Sequence, residues 1–216
     1  MELKVIYEDN HIIVVEKPVG VPTQADYTKD EDMYNLVREY LKEKYNKPGQ
    51  AFVGMVHRID RPVGGVMVFA KTSKGASRLS EQIRDRSFKK IYLAEIYGHM
   101  EKKKGSLEDY LLKNEPKNMS VVCDKNTSNA KLAQLDYEVI EEKEDTSIVR
   151  IVLHTGRHHQ IRVQFSSIGH PLVGDNKYGS RAEKKRSDIH LWAYSLKFKH
   201  PTKDEIMEFT IKPDWI

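Results

Sequence analysis

A chain of 216 residues, 39% hydrophobic and 31% charged, suits one domain with a sizeable core and a heavily charged surface. Lys and Arg number 36 against 32 for Asp and Glu, and the resulting +4 is too mild to identify a polyanionic partner unless the charges cluster. No apolar run approaches the ~18 residues that cross a bilayer, the start Met1-Glu2-Leu3-Lys4 lacks a secretory pattern, and the single cysteine, Cys123, rules out an internal disulfide and fits the reducing cytoplasm.

The chain opens with two short β-branched runs, Leu3 to Tyr7 and His11 to Val15, parted by the turn cluster Glu8-Asp9-Asn10. Lys17-Pro18-Val19-Gly20 stops regular structure. Met33, Leu36, Val37, Tyr40, Leu41 and Tyr45 then mark one helix face, with Asp30 or Asp32 as cap. Ala51 to Val56 and Val66 to Ala70 read as buried strands around a polar loop, His57 to Gly65. Thr72-Ser73 caps a second helix, whose stripe Ala76, Leu79 and Ile83 ends near Arg86. Ile91 to Tyr97 alternates as a strand with Tyr92, Ala94 and Ile96 on one face. Further strands are expected over Leu107 to Leu112, Ser120 to Cys123, Lys131 to Ile140 and Ser147 to Leu153. A third helix carries Ile161, Phe165 and Ile168 and is closed by Gly169 and Pro171. Two last strands, His190 to Phe198 and Glu205 to Ile211, are joined through His200-Pro201. Many strands, few helices and no βαβ rhythm predict an α+β fold: a mostly antiparallel mixed sheet flanked by a few helices. No linker divides the chain, so residues 1–216 are expected to form a single domain.

Signatures of nucleotide hydrolysis, dinucleotide binding, zinc proteolysis and α/β-hydrolase chemistry are missing. His154, His158 and His159 form the dense histidine cluster, but Arg157 and Arg162 would repel a cation there, so no metal site is expected. Two polar segments stand out against their apolar flanks. In His57-Arg58-Ile59-Asp60-Arg61-Pro62-Val63-Gly64-Gly65 a carboxylate lies between two guanidinium groups, an arrangement that a solvated surface loop would also produce. In Thr155-Gly156-Arg157-His158-His159-Gln160-Ile161-Arg162-Val163 donors gather at a helix start, where Arg157 and Arg162 are open to a carboxylate or a phosphate.

Taken in order, these segments resemble the RluA-type pseudouridine synthases. His57-Arg58-Ile59-Asp60-Arg61 is similar to the family's HRLDR signature, Lys90-Ile91-Tyr92-Leu93-Ala94 to its KxYLA strand, and Thr155 to Val163 to TGRTHQIRV. Ile168-Gly169-His170-Pro171-Leu172, Gly174-Asp175, Tyr178-Gly179 and the opening Tyr7 to Pro18 extend the match over almost the whole chain. Three departures accompany it: Ile59 for leucine, Pro62-Val63-Gly64-Gly65 for an ending with threonine or serine, and His158 for threonine. The length leaves no room for the extra N-terminal RNA-binding module of many relatives, so the catalytic domain is expected to grip RNA itself.

The resemblance implies the pseudouridine synthase catalytic fold and isomerisation of uridine in structured ribosomal or transfer RNA, with no cofactor. It assigns Asp60 as nucleophile, Arg162 as the group that holds Asp60 ionised, and Tyr92 as a platform beside the base and acceptor of its proton. His57, Arg58, Arg61, Arg157 and Gln160 become RNA-binding side chains, with Arg58 entering the stack that the uridine leaves. Two basic clusters, Arg84-Arg86-Lys89-Lys90 and Lys184-Lys185-Arg186, are candidate phosphate tracks. A monomer without an obligate protein partner and without membrane attachment is expected. A non-catalytic RNA-binding relative is the alternative, and retention of Asp60, Tyr92 and Arg162 together argues against it. A glycosidase-like hydrolase would need a second carboxylate, which neither polar segment supplies.

Overall fold

The computed structural model describes residues 1–26, 28–179 and 188–216, which fall into two compact units. The first comprises Met1–Lys89, Ala193–Asp214 and Ile216, and the second Lys90–Trp192 with Trp215.

In the first unit, β1 (Val5–Glu8) pairs antiparallel with β2 (Ile12–Lys17). The predicted turn between them forms because Asp9 Oδ1 accepts the backbone N–H groups of His11 and Ile12 at 2.8 and 2.9 Å. Strand β2 pairs along its length with β4 (Gly64–Ala70), from Ile12 opposite Ala70 to Lys17 opposite Gly65. All seven residues of β4 are buried, which explains its continuous apolar run. Helix α1 (Met33–Lys44) buries Met33, Val37 and Leu41, one face at four-residue spacing. Asp32 is its cap and accepts from Asn35 N at 3.0 Å. Asp30, the other candidate, binds Arg61 instead. Helix α2 (Ser73–Arg84) starts at Thr72, whose hydroxyl accepts from Gly75 N at 3.1 Å. Ile12, Val14, Val66, Val68, Leu79 and Phe198 meet in this unit's core.

The strand expected over Ala51 to Val56 shortens to β3 (Gly54–Met55), which pairs with Ala70 and Phe69 of β4. The next N–H of β4, that of Val68, goes to the His57 ring, which accepts at Nε2 over 3.1 Å. A side chain therefore completes the ladder, and the backbone is released into the polar loop.

The second unit is built on an antiparallel sheet in the order β5 (Lys89–Tyr97), β9 (Thr146–Leu153), β8 (Lys131–Glu142), β6 (Lys104–Asn114) and β7 (Met119–Cys123). Strand β6 extends past both ends of the apolar run Leu107 to Leu112, because its outer residues are exposed and polar yet still paired with β8 and β7. Helix α3 (Gln160–Ser167) follows β9, and its Val163 packs on Leu111 and Ala133 of this sheet. Gly169 closes it at φ +86, as the sequence predicted.

Strand β10 spans Leu191–Lys199, and β11 (Ile206–Thr210) pairs with its later part from Ser195 to Lys199. Among the described residues, three helices accompany antiparallel strands, the α+β fold that the sequence predicts.

Candidate active site

Asp60 sits in the loop that leaves β3, and its backbone is fixed from both sides. The Thr23 hydroxyl, buried, donates to Ile59 O at 2.8 Å and accepts Ile59 N–H at 3.1 Å. Val63 N donates to Asp60 O at 3.0 Å and closes a turn around Arg61-Pro62. Lys17, with no solvent exposure, directs Nζ into this turn and donates to Pro18 O at 3.1 Å, Arg61 O at 3.1 Å and Val63 O at 2.6 Å. Burial pulls the Lys17 amine down to about 7, while the Asp60 carboxylate acts in the opposite direction. The Asp60 side chain is partly exposed. Its backbone is thus held by groups from the segment Lys17–Thr23, about 40 residues earlier in the chain.

The loop ends where β4 begins, at Gly64-Gly65. Gly65 adopts φ +126, and a Cβ there would lie 2.2 Å from the Ala193 carbonyl oxygen. Glycine is therefore required twice over, by conformation and by close backbone approach.

The arginines around Asp60 differ in their commitments. Arg58 is exposed. Arg61 donates from Nε to Gly20 O at 3.0 Å and from Nη1 to Thr28 Oγ1 at 3.1 Å, and it pairs with Asp26 and Asp30. That network draws the Arg61 guanidinium toward the acidic segment before α1. His57, whose Nε2 serves Val68, packs 5.9 Å from the Phe88 ring.

In the second unit, Tyr92 lies on β5 opposite Ile151 and is buried. Arg162 projects from the first turn of α3 and is 4% exposed. Its Nε and Nη2 each donate to one oxygen of the buried Asp175 carboxylate at 2.7 Å. Two parallel bonds fix the plane of the guanidinium, and its Cζ lies 5.2 Å from the Tyr178 ring centroid. Asp175 also accepts Lys177 N at 2.9 Å and Tyr178 N at 3.1 Å, so the same carboxylate shapes the turn that carries Tyr178. Asp175 lies in the Gly174-Asp175 motif, and its positioning role depends on a contact 13 residues away that the sequence does not reveal.

The entry to α3 is equally braced. Gln160 is buried; its Oε1 accepts from Thr155 Oγ1 at 2.7 Å and Arg157 N at 3.1 Å, and its Nε2 donates to Gln134 O at 3.1 Å. Arg157 is exposed and donates from Nε to Leu132 O at 2.8 Å. His159 adopts φ +52, stacks on His158 at 3.8 Å, and bonds Tyr178 Oη through Nδ1 at 2.9 Å. His158 meets Ser120 Oγ at 3.0 Å and Asn118 Oδ1 at 3.0 Å. His154 pairs with Asp136 at 2.6 Å. Burial, reinforced by nearby cations, pulls His158 down to about 4 and His159 to about 2. The three histidines are engaged with different partners, and among the described residues no cluster of three metal-ligating side chains occurs.

Of the two basic clusters, Lys184-Lys185-Arg186 lies outside the described residues. In the other, Arg84, Arg86 and Lys89 are exposed but Lys90 is buried, so the four do not form one surface track.

The sequence profile of a family described as RNA pseudouridylate synthase matches residues 11–167, a span that includes Asp60, Tyr92 and Arg162. The dual-specificity RNA pseudouridine synthase RluA of Escherichia coli K12 is 35% identical over 224 residues, covering 99% of this chain and 94% of that protein. An Aquifex aeolicus protein described as an uncharacterized RNA pseudouridine synthase is 34% identical over 97% of this chain and 69% of its own length. Two human structures share the fold: RNA pseudouridylate synthase domain containing 4, with TM-score 0.82, 21% identity and coverage of 98% and 89%, and domain containing 1, with 0.79, 24%, and 100% and 85%. With a family match over most of the chain and relatives of this identity along its whole length, the chain belongs to the RluA-type RNA pseudouridine synthases, enzymes that isomerise uridine in RNA.

Proposed function

We propose that Asp60 is the nucleophile of this isomerase and that its substrate is a uridine in folded ribosomal or transfer RNA. The observation that carries the assignment is the loop around Asp60: a carboxylate in the family's signature position, on a backbone bound by Thr23 before it and Lys17 after it. A carboxylate that attacks the nucleotide divides a difficult rearrangement into easier steps. The C1′–N1 bond breaks, the uracil turns while held, and C1′ bonds to C5. The C5 hydrogen leaves as a proton and N1 gains one, so no atoms are gained or lost and no electrons are exchanged with a cofactor.

In this reading Arg162 keeps Asp60 ionised, and its fixed bidentate bond to Asp175 supports that role by holding the guanidinium in one orientation. Tyr92 offers the uracil a flat platform. Flipping a helical uridine costs a few kcal/mol, and the exposed Arg58 guanidinium is suited to fill the gap by stacking. Arg157 is open to phosphate, while Gln160 acts by shaping the turn that presents Arg157. A relative described as a dual-specificity RNA pseudouridine synthase supports more than one RNA target. The chain is proposed to work as a monomer in the cytoplasm.

Tritium release tests the nucleophile. Transfer RNA labelled at uridine C5 loses its label to water when C5 becomes the glycosidic carbon. Asp60→Ala is expected to abolish release while RNA affinity stays within a few-fold. Turnover at the wild-type rate by that variant would refute the mechanism, and absence of turnover by the wild-type chain on both RNA classes would favour a binding-only role.

A further inference from the structure

Lys90 is a buried cation that the mechanism above does not use. It stands on β5 two residues before Tyr92, so strand alternation puts both on one face. It is 8% exposed, although lysines are almost never buried without a partner. Among the described residues no carboxylate pairs with its ammonium group, and the charge that acts on it is Arg157, a second cation. Burial and that repulsion together push the Lys90 pKa down.

Gly156 lies directly against the amine: a Cβ built on it would be 3.3 Å from Lys90 Nζ. The Gly156 backbone is not left-handed, so glycine supplies space here and not an unusual conformation. Gly156 and Arg157 are both exposed, so the amine lies directly beneath the surface at Gly156. Arg157 uses Nε on Leu132 O, and its two terminal nitrogens have no partner among the described residues. Two converging cations, no neutralising acid and a side-chain-free approach together describe a seat for an anion with several acceptor oxygens.

We propose that Lys90, Gly156 and Arg157 form a phosphate subsite that holds a phosphodiester adjacent to the target uridine. Two residues of strand span about 7 Å, which is comparable to the reach from a nucleobase to a phosphate of its own nucleotide. A base on the Tyr92 platform would therefore bring its backbone to Lys90. The subsite anchors the sugar-phosphate chain while the glycosidic bond is open and the uracil turns. The inference rests on RNA occupying the Tyr92 face, as proposed above.

Inorganic phosphate is a sufficient probe. In protein carrying 13C at lysine Cε, the Lys90 signal (identified by its loss in Lys90→Met) is expected to shift saturably with phosphate at constant ionic strength, while that of Lys89 does not. Gly156→Ala, which crowds the amine without removing charge, is expected to weaken that response several-fold. A Lys90 shift no larger than that of Lys89, or a full response in Gly156→Ala, overturns the subsite. With unfractionated transfer RNA, Lys90→Met is expected to lower the slope of log affinity against log salt by roughly 0.7–0.9, and Lys90→Arg to restore it. An unchanged slope overturns the assignment to RNA phosphate. Tritium release by the wild-type chain is scored separately: its absence while Lys90 still answers to phosphate and RNA refutes the isomerase reading alone, and its presence without a Lys90 response refutes this inference alone.

Discussion

Lys17 shows how a charged side chain can act as a backbone clamp. Its ammonium group donates to three carbonyls, two of them in the turn that carries Asp60, and of the three Arg61 O also accepts Gly20 N at 3.0 Å. Methionine matches the stem of lysine but donates nothing. Lys17→Met therefore leaves the buried Val63 carbonyl without the Lys17 donor, at about 1–3 kcal/mol. A lower urea midpoint and a fall in kcat that exceeds any change in RNA affinity are the expected outcomes, because the loosened turn misaims a group that acts on bound substrate. Equal loss of affinity and kcat would assign Lys17 to RNA binding instead. Arg162 and Asp175 teach the complementary lesson: the arginine is aimed by a carboxylate 13 residues away, and both side chains are almost fully buried.

At the scale of elements, the β6–β7 hairpin is latched to the start of α3 through the histidines. Ser120 Oγ donates to the His158 carbonyl at 2.8 Å, and Ser120 N donates to Tyr178 Oη at 2.7 Å, the hydroxyl that also meets His159. Both imidazoles are neutral in the fold, with pKa values near 4 and 2 against 6.5 when free. The unfolded chain therefore binds more protons below about pH 6.5, and folding stability falls as pH drops from 6.5 toward 4. His158→Thr, which restores the family's usual residue, is expected to flatten this decline when urea midpoints are measured across that range. A wild-type midpoint constant between pH 6.5 and 4.5 would contradict the latch.

Elements defined by local chemistry were legible in the sequence. Asp9, Thr72 and Gly169 stop or start structure through bonds to their own neighbours or through their own dihedral preference. Strand β3 was overestimated because its ladder passes to the His57 side chain after two residues, which no propensity encodes. The polar loops were legible as motifs, whereas the groups that hold them were not. Lys17 stands in the segment Lys17-Pro18-Val19-Gly20 that stops regular structure, and its role and that of Thr23 depend on contacts with residues 36 to 46 positions later. In sequence Lys90 groups with Arg84, Arg86 and Lys89 as one candidate phosphate track, and only its burial on β5 sets it apart from those exposed neighbours.

For the whole molecule, the commitments of the histidines bear on metal dependence. His154 is bound to Asp136, His158 to Asn118 and Ser120, and His159 to Tyr178, so recruiting them for one ion would dismantle four separate contacts. Treatment with EDTA followed by desalting is expected to leave tritium release unchanged when the RNA is refolded beforehand, and loss restored by zinc would overturn that expectation.

The backbone contact at Gly65 carries a warning for anyone who scans this chain by saturation mutagenesis. Any β-carbon at position 65 must displace the Ala193 carbonyl, so a growth selection that scores pseudouridine alone would rank Gly65 with Asp60 as indispensable. Pairing that selection with a readout of cellular protein abundance should part the two, with Gly65 alleles depleted as polypeptides and Asp60 alleles accumulating as intact but silent enzyme.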